Sequence, residues 1–405
     1  MLVNSLLKLV LFSLFGSYFF SSCKKKMDSI SPQIIVESPL PNSNIILPNT
    51  VNVKGSSKDN NKLKKVEINI VNSNLTPISS KVTIELNSNI YNFDELFYLD
   101  DPILESGSYF ISLKAYDEYD NVTSKYVNIS LTEIKKVYHG LYFIKSQNEN
   151  SNIYFIDSNN NVAFENTLIG NIQLSNLNSK HQYLFIASSQ NAFSFTLPNF
   201  NELWSIYPFQ TPYPFFSNLF YDDIMDCLYM VFGDGRIHAY NKQGQIVNSI
   251  YTNYQEWFGE IYVDNSFVIS EVFSNLLNRF IVVYYKTSGV ENHRIQVDGE
   301  VAKILKKEDN LFMVAVNYQN NGRIYCYDLN NNSMSTEIEI TDCQIYDALI
   351  ENELLYLATN LGVYTYNLIN KSLNLAIDIK PIYGLKREQL DGYFLLNDGK
   401  NIYRY

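Results

Sequence analysis

The alternation of apolar and polar residues changes character along the chain. Between residues 33 and 134, short alternating runs such as TVNVKG, KKVEINIVN and GSYFISLKAYD are separated by turn residues, a pattern typical of strands with one buried face. Later runs such as LYMVF and LFMVAV are apolar throughout, as expected of strands that are covered on both faces. The pattern predicts an all-β protein with a small β-sandwich over 33–134, followed by a second β domain over 135–405.

One strand recurs along the second domain. Its seven copies begin at Ile153, Ala192, Ile237, Val282, Ile324, Val363 and Ile402. Successive copies start 39 to 45 residues apart. Each copy follows a second apolar run, and most have a third run before these and a fourth after them, so one period holds four strands. A β repeat of about 40 residues predicts propeller blades, here seven. Residues 134–138 could supply the fourth strand of the last blade or the first strand of the first, and the sequence leaves both open.

The first residues predict a targeting segment. The apolar run over 9–20 has 12 residues, whereas a membrane helix needs about 20. This is the length of a signal-peptide core, so we expect a signal peptide over 1–22, a lipidation site at Cys23 and a tether over 23–32. A rival interpretation is an uncleaved anchor, because the lysines at 24–26 would keep the remaining chain in the cytoplasm.

Three short motifs resemble known families. Ser21-Ser22-Cys23 resembles the lipobox of bacterial lipoproteins, although Phe20 stands where Leu is usual. LKAYDEYDNVT at 113–123 resembles a strand and turn of bacterial immunoglobulin-like domains, with Asp120 where Gly is usual. The repeat I-Y-x-Y-[DN] resembles that of quinoprotein-like (PQQ-like) and YVTN-type propellers.

Together these motifs resemble a bacterial, Bacteroidota-like lipoprotein with an immunoglobulin-like domain before a seven-bladed β-propeller. The resemblance implies an outer-membrane lipoprotein anchored in the membrane through Cys23, because Lys24 replaces the Asp of an inner-membrane retention signal. It leaves open whether the protein faces the periplasm or the cell surface. The immunoglobulin-like domain would act as a spacer.

Composition narrows the range of partners. The net charge is −11 and the pI about 5.0, which argues against nucleic-acid binding because that needs a basic face. Cys227, Cys326 and Cys343 match no zinc spacing, and we expect buried thiols there. A disulfide between Cys326 and Cys343 is the alternative.

Candidate chemistry is sparse. His139 and His181 stand near equivalent places in adjacent blades, but no third histidine matches them. Acidic pairs such as Asp222-Asp223 are interpreted as solvated turn charges. We therefore predict no catalytic residue, no metal site and no cofactor. Aromatic residues near the predicted connection of blades two and three are candidate ligand-binding residues, or alternatively fill the seam between those blades. These candidates are Trp204, Tyr207, Phe209, Tyr213, Phe215 and Trp257.

The sequence thus favours a non-enzymatic, membrane-anchored lipoprotein whose propeller is a binding or scaffold platform for an envelope protein or glycan. Two other functions stay open. One is a hydrolase or lyase with its active site in the central funnel of the propeller. The other is an accessory component of envelope assembly or secretion machinery.

Overall fold

The computed structural model describes residues 28–147, 149–188, 191–207, 216–275, 278–388 and 392–405. Every regular element in these ranges is a β-strand, as the sequence predicts. The described part of the chain has no helix with the length and apolarity that a membrane span requires. The chain divides into two compact units, residues 1–136 and 137–405. The predicted signal peptide and Cys23 lie outside the described residues.

Six strands build the first unit: β1 (Gln33–Ser38), β2 (Ser43–Ile46), β3 (Asn49–Asn72), β4 (Val82–Leu99), β5 (Gly107–Asp117) and β6 (Val122–Thr132). Their order is β1-β3-β5-β6-β2, with β4 also paired to β3. All pairs are antiparallel except β2 with β6. The 24-residue β3 pairs with β1 through its first half and with β5 through its second, so one strand joins both sides of the unit.

The first unit encloses one hydrophobic core, to which five of its six strands contribute buried side chains. Alternate residues of β3, including Val51, Val53, Ile68 and Ile70, point into it, because side chains of a strand face opposite sides in turn. Gly55 is required where β3 crosses this core: a Cβ there would lie 2.1 Å from the carbonyl oxygen of Ile35. Each large buried side chain stabilises the fold by about 1.5–3 kcal/mol.

The second unit is a succession of antiparallel sheets in which strands pair in chain order. Two sheets have three strands each: β7 (Gly140–Gln147), β8 (Asn150–Asp157) and β9 (Val162–Ile169), and at the other end β30 (Gly384–Arg387), β31 (Phe394–Asn397) and β32 (Ile402–Arg404).

The intervening described sheets have four strands each. They are β10 (Ile172–Asn178), β11 (Tyr183–Ser188), β12 (Ala192–Thr196) and β13 (Asn201–Ile206); β14 (Phe216–Asp222), β15 (Cys227–Phe232), β16 (Arg236–Tyr240) and β17 (Ile246–Tyr251); β18 (Glu256–Val263), β19 (Phe267–Ser274), β20 (Arg279–Tyr285) and β21 (Glu291–Val297); β22 (Glu300–Glu308), β23 (Leu311–Tyr318), β24 (Asn321–Asp328) and β25 (Ser333–Ile340); and β26 (Ile345–Glu351), β27 (Leu354–Thr359), β28 (Gly362–Asn367) and β29 (Leu373–Ile377).

Consecutive sheets of the second unit share hydrophobic cores. In β23, Met313 and Ala315 belong to the core shared with the following sheet, whereas Phe312, Val314 and Val316 belong to the core shared with the preceding one. This double burial explains why the second strand of a sheet is apolar at successive positions, as the sequence predicts for LYMVF and LFMVAV.

The first strands of consecutive sheets are neighbours in the order β10, β14, β18, β22, β26 and β30. The recurring strand of the sequence is the third strand in each four-stranded sheet and in β30–β32, and the middle strand of β7–β9. Residues 134–138 form no strand, and Ile134 packs against the core of the first unit. The structure therefore supports neither sequence-based assignment of that segment.

The described cysteines are free thiols: Cys227 and Cys343 are buried, and Cys326 is partly buried. Burial raises the pKa of each of these thiols, which keeps them protonated and unreactive. The prediction of buried thiols is confirmed for Cys227 and Cys343, and the alternative disulfide between Cys326 and Cys343 is absent.

Candidate functional site

A polar residue interrupts each of four successive first strands. These residues are Asn218 on β14, Glu260 on β18, Lys303 on β22 and Asp347 on β26. Each stands at or beside a shift in pairing with the second strand of its sheet. Such β-bulges turn a side chain away from its regular direction. We call these four residues the polar row.

Direct contacts connect the polar row from sheet to sheet. The Nδ2 of Asn218 donates to Oε2 of Glu260 at 2.6 Å. The ammonium of Lys303 lies 3.0 Å from Oε1 of Glu260 and 3.8 Å from Oδ1 of Asp347. The backbone N–H of Leu385, on β30, donates to Oδ2 of Asp347 at 3.0 Å. The row therefore joins five neighbouring first strands.

Two carboxylates share one ammonium in this row. Burial raises the pKa of Glu260, and Lys303 and Asn218 offset this effect only in part. Burial lowers the pKa of Lys303, but Glu260 and Asp347 more than compensate, so its pKa is raised. Lys303 therefore stays charged at neutral pH, while Glu260 is protonated more readily than an exposed glutamate.

A cavity of about 480 Å³ opens beside the end of the polar row that includes Lys303 and Asp347. Strands β26 and β30 contribute the other charged residues of its lining, Glu351, Lys386 and Arg387. Arg387 pairs with Glu351, whereas the side chain of Lys386 is exposed. The cavity therefore offers both charge signs, with Lys386 as its most accessible cation.

Further ion pairs link the sheets beyond the polar row. Asp222, at the end of β14, lies 2.6 Å from the ammonium of Lys286, and both side chains are almost fully buried. The interpretation of Asp222-Asp223 as solvated turn charges is thus wrong for Asp222. A buried lysine compensates its charge, as a desolvated carboxylate requires. Asp264, directly after β18, and Lys306 on β22 form a second pair at 3.2 Å that is less deeply buried.

The aromatic candidates from the sequence do not form one site in the described residues. Trp204 is 9% exposed and stacks against Phe185 and Tyr240, with ring centroids 6.1 and 5.9 Å apart. It fills the core between the sheet of β10–β13 and the sheet of β14–β17. For Trp204 this agrees with the alternative that the aromatic residues fill the seam between neighbouring blades.

Tyr207 and Trp257 lie elsewhere. Tyr207 is 65% exposed, with its ring edge-on to Phe193, and Trp257 on β18 is partly exposed and lies near Phe273. The remaining candidates, Phe209, Tyr213 and Phe215, lie outside the described residues.

Sequence reasoning missed the polar row. Its signal is one charged or amide residue inside the run of each of these four first strands: Asn218 in FSNLF, Glu260 in FGEIY, Lys303 in VAKIL and Asp347 in IYDAL. These residues differ in charge and type, so they do not register as a repeat. The bulges that bring them together depend on pairing and leave no mark in the sequence.

No protein-family model matches the chain, and no curated protein matches it. Among solved structures, the chain is similar to the WD40 β-propeller domain of Doa1, at 13% identity and a TM-score of 0.51 over 66% of this chain and 88% of that one. It is also similar to a chain of the mitotic checkpoint complex, at 10% identity and a TM-score of 0.51 over 67% and 91% of the two chains.

At these identities the likeness shows the fold alone. The chain contains a β-propeller fold.

Proposed function

We propose that the protein is a non-enzymatic, membrane-anchored lipoprotein whose propeller is a binding or scaffold platform for an envelope protein or glycan. The observation that carries this proposal is the polar row beside its cavity: Asn218, Glu260, Lys303 and Asp347 are held by one another and by the backbone of β30. Polar groups fixed before a ligand arrives lose little freedom on binding.

The position of the polar row supports the same role. The first strands of propeller blades surround a central channel, so the row and the cavity would lie at the channel. Concave sites with a few convergent polar groups are the usual places for ligands. An exposed cation such as Lys386 at the cavity would favour a partner that presents carboxylate groups.

We also propose that the seven described sheets of the second unit are seven blades. Support comes from their chain-order pairing and from the cores shared by consecutive sheets. The first unit would be an immunoglobulin-like spacer. Cys23 would carry the lipid anchor in the outer membrane, with the protein facing the periplasm or the cell surface; this part of the proposal depends on sequence alone.

Affinity capture from envelope extract tests the platform. The full chain should retain one partner, and Lys386→Glu should reduce its recovery by about tenfold, which corresponds to roughly 1.4 kcal/mol of lost affinity. Lys400→Glu is the matched control, because Lys400 is also exposed but lies in the β31–β32 turn, away from the cavity. A stoichiometric envelope protein would favour assembly or secretion machinery, whereas a glycan would favour a lectin-like role. Equal recovery with both variants would contradict a platform at the cavity.

A second candidate function is a hydrolase or lyase in the channel. The observation that favours it is a buried glutamate with a raised pKa next to a lysine and a second carboxylate, because glycoside hydrolysis pairs a protonated carboxyl group with an ionised one. Incubation with envelope polysaccharides separates the two functions. Release of reducing ends that is lost in Glu260→Gln would establish the enzyme, and no release alongside retained binding would support the platform.

A further inference from the structure

Three aspartates of the first unit converge at one end of its core. Asp28 precedes β1, Asp59 lies in the middle of β3, and Asp117 ends β5. One carboxylate oxygen of each lies within 4.8 Å of those of the other two. Asp117 is fully buried, and the other two are partly buried.

One oxygen in this group has no hydrogen-bond partner. The Oδ1 of Asp59 accepts the N–H of Asn61 at 2.8 Å. Its Oδ2 has less than 1 Å² of exposed surface and accepts no hydrogen bond within the described ranges. A buried, ionised oxygen without a partner is costly. This oxygen therefore needs a positive partner that the described protein groups do not supply.

Two lysines of β3 pair with acidic residues outside this group. Lys62 lies 3.9 Å from Glu118, and Lys64 lies 2.6 Å from Asp120. None of the ion pairs between described residues includes Asp28, Asp59 or Asp117. Three carboxylates this close repel one another unless a cation lies between them.

We propose that Asp28, Asp59 and Asp117 bind one calcium ion. Carboxylate oxygens are the ligands that this hard cation prefers, and it accepts six to eight of them in irregular geometry. The surrounding amides orient the ligands: the side chain of Asn121 donates to Oδ2 of Asp117 at 2.7 Å, and that of Asn60 donates to Oδ2 of Asp28 at 2.8 Å. Such outer contacts tune metal affinity.

The ion would hold the segment just before β1 against β3 and β5. The side chain of Asn121 also donates to the backbone oxygen of Asp28 at 3.0 Å, so the segment before β1 already contacts the turn after β5. Calcium would join Asp28 to β3 and β5 through ionic bonds.

Calorimetric titration of the chelator-treated full chain with calcium chloride tests this site. We expect one ion per chain and a higher melting temperature with calcium than with chelator. Asp59→Asn keeps an acceptor for Asn61 and replaces only the unpartnered oxygen, and it should weaken binding by about tenfold or more. Asp117→Asn should do the same.

Asp157→Asn is the matched control. Its Oδ1 accepts the N–H groups of Asn159 and Asn161, both at 2.8 Å, and Asp117 accepts those of Tyr119 and Asn121 at the same distance. Asp157 belongs to no carboxylate group of this kind in the described chain. Absence of calcium binding by the unmodified chain would overturn the proposal. So would unchanged affinity in Asp59→Asn with an unchanged circular-dichroism spectrum, or an equal loss in Asp157→Asn.

Discussion

Lys303 is the only cation of the polar row, and its ammonium compensates Glu260 at 3.0 Å and Asp347 at 3.8 Å. The carboxylate side chains are 12% and 14% exposed, so water screens them poorly. Removing one partner of such a group leaves charge without compensation, which costs more than the pair contributes when intact.

Lys303→Met should therefore lower the free energy of unfolding by about 3 kcal/mol. Adding Glu260→Gln should recover part of this loss, because it removes one of the two uncompensated charges. Urea unfolding of the full chain measures both variants. Lys54→Met is the control: the Lys54–Asp94 pair is about half exposed on each side, and its loss should leave the unfolding midpoint unchanged. A loss with Lys303→Met no larger than that of the control would contradict the role of Lys303.

The burial of two cysteines was predictable, because their spacings match no zinc pattern and a free thiol is a small apolar group. Cys227 and Cys343 are buried, as small apolar side chains in strands or adjoining turns usually are. The buried pair of Asp222 and Lys286 was not predictable, because its members are 64 residues apart (286 − 222) in the sequence. Only the packing of neighbouring sheets brings them together.

At the scale of the element, the turn between β16 and β17 depends on Gly244. Its φ is +74°, a region that favours glycine. A Cβ there would lie 2.7 Å from the Cγ of Trp204, which belongs to the previous sheet. The turn therefore packs closely against Trp204, which fills the core between the two sheets.

Gly244→Ala should lower the free energy of unfolding by about 1–3 kcal/mol, because alanine is strained at positive φ and meets Trp204. The emission of Trp204 should also change, which thermal unfolding followed by fluorescence would detect. At Gly107 the nearest atom to an added Cβ is 3.9 Å away, so Gly107→Ala should change stability little. Equal stability of the two variants would show that the turn does not pack as described.

Strands with two buried faces were the most predictable elements. The runs LYMVF and LFMVAV contain only apolar and aromatic residues. Each directly precedes a copy of the recurring strand. The first strands β14, β18, β22 and β26 were less clear because each carries a polar residue at its bulge, and their common role emerges only from the sheets. The sequence suggested a propeller strand over residues 134–138, but this segment forms no strand. Ile134 packs onto the core of the first unit instead.

At the scale of the whole molecule, the two units have separate cores, and the proposed anchor is a lipid on Cys23. Several acyl chains attach a protein stably, because each buried CH₂ contributes about 0.8 kcal/mol. Cys23→Ala should therefore abolish fatty-acid labelling and leave the protein unprocessed at its signal peptide. Metabolic labelling and the apparent mass on a gel measure both effects. Unchanged mass and unlabelled wild-type protein would instead favour an uncleaved anchor.

The architecture of the molecule could be predicted from its period, because a repeat of four strands has few ways to bury its faces. The binding partner could not be predicted, since it depends on side chains that differ between the repeats, such as Asp347 and Lys386.

Site-specific photo-crosslinking in the native cell tests the binding platform most directly. A benzophenone amino acid replaces Lys386 at the cavity in one strain and Tyr98, which is 65% exposed on the first unit, in another. We predict one discrete crosslinked species from position 386 and none of that mass from position 98. No crosslinked species from position 386, or the same species from both positions, would contradict the proposal that the propeller binds its partner at this cavity.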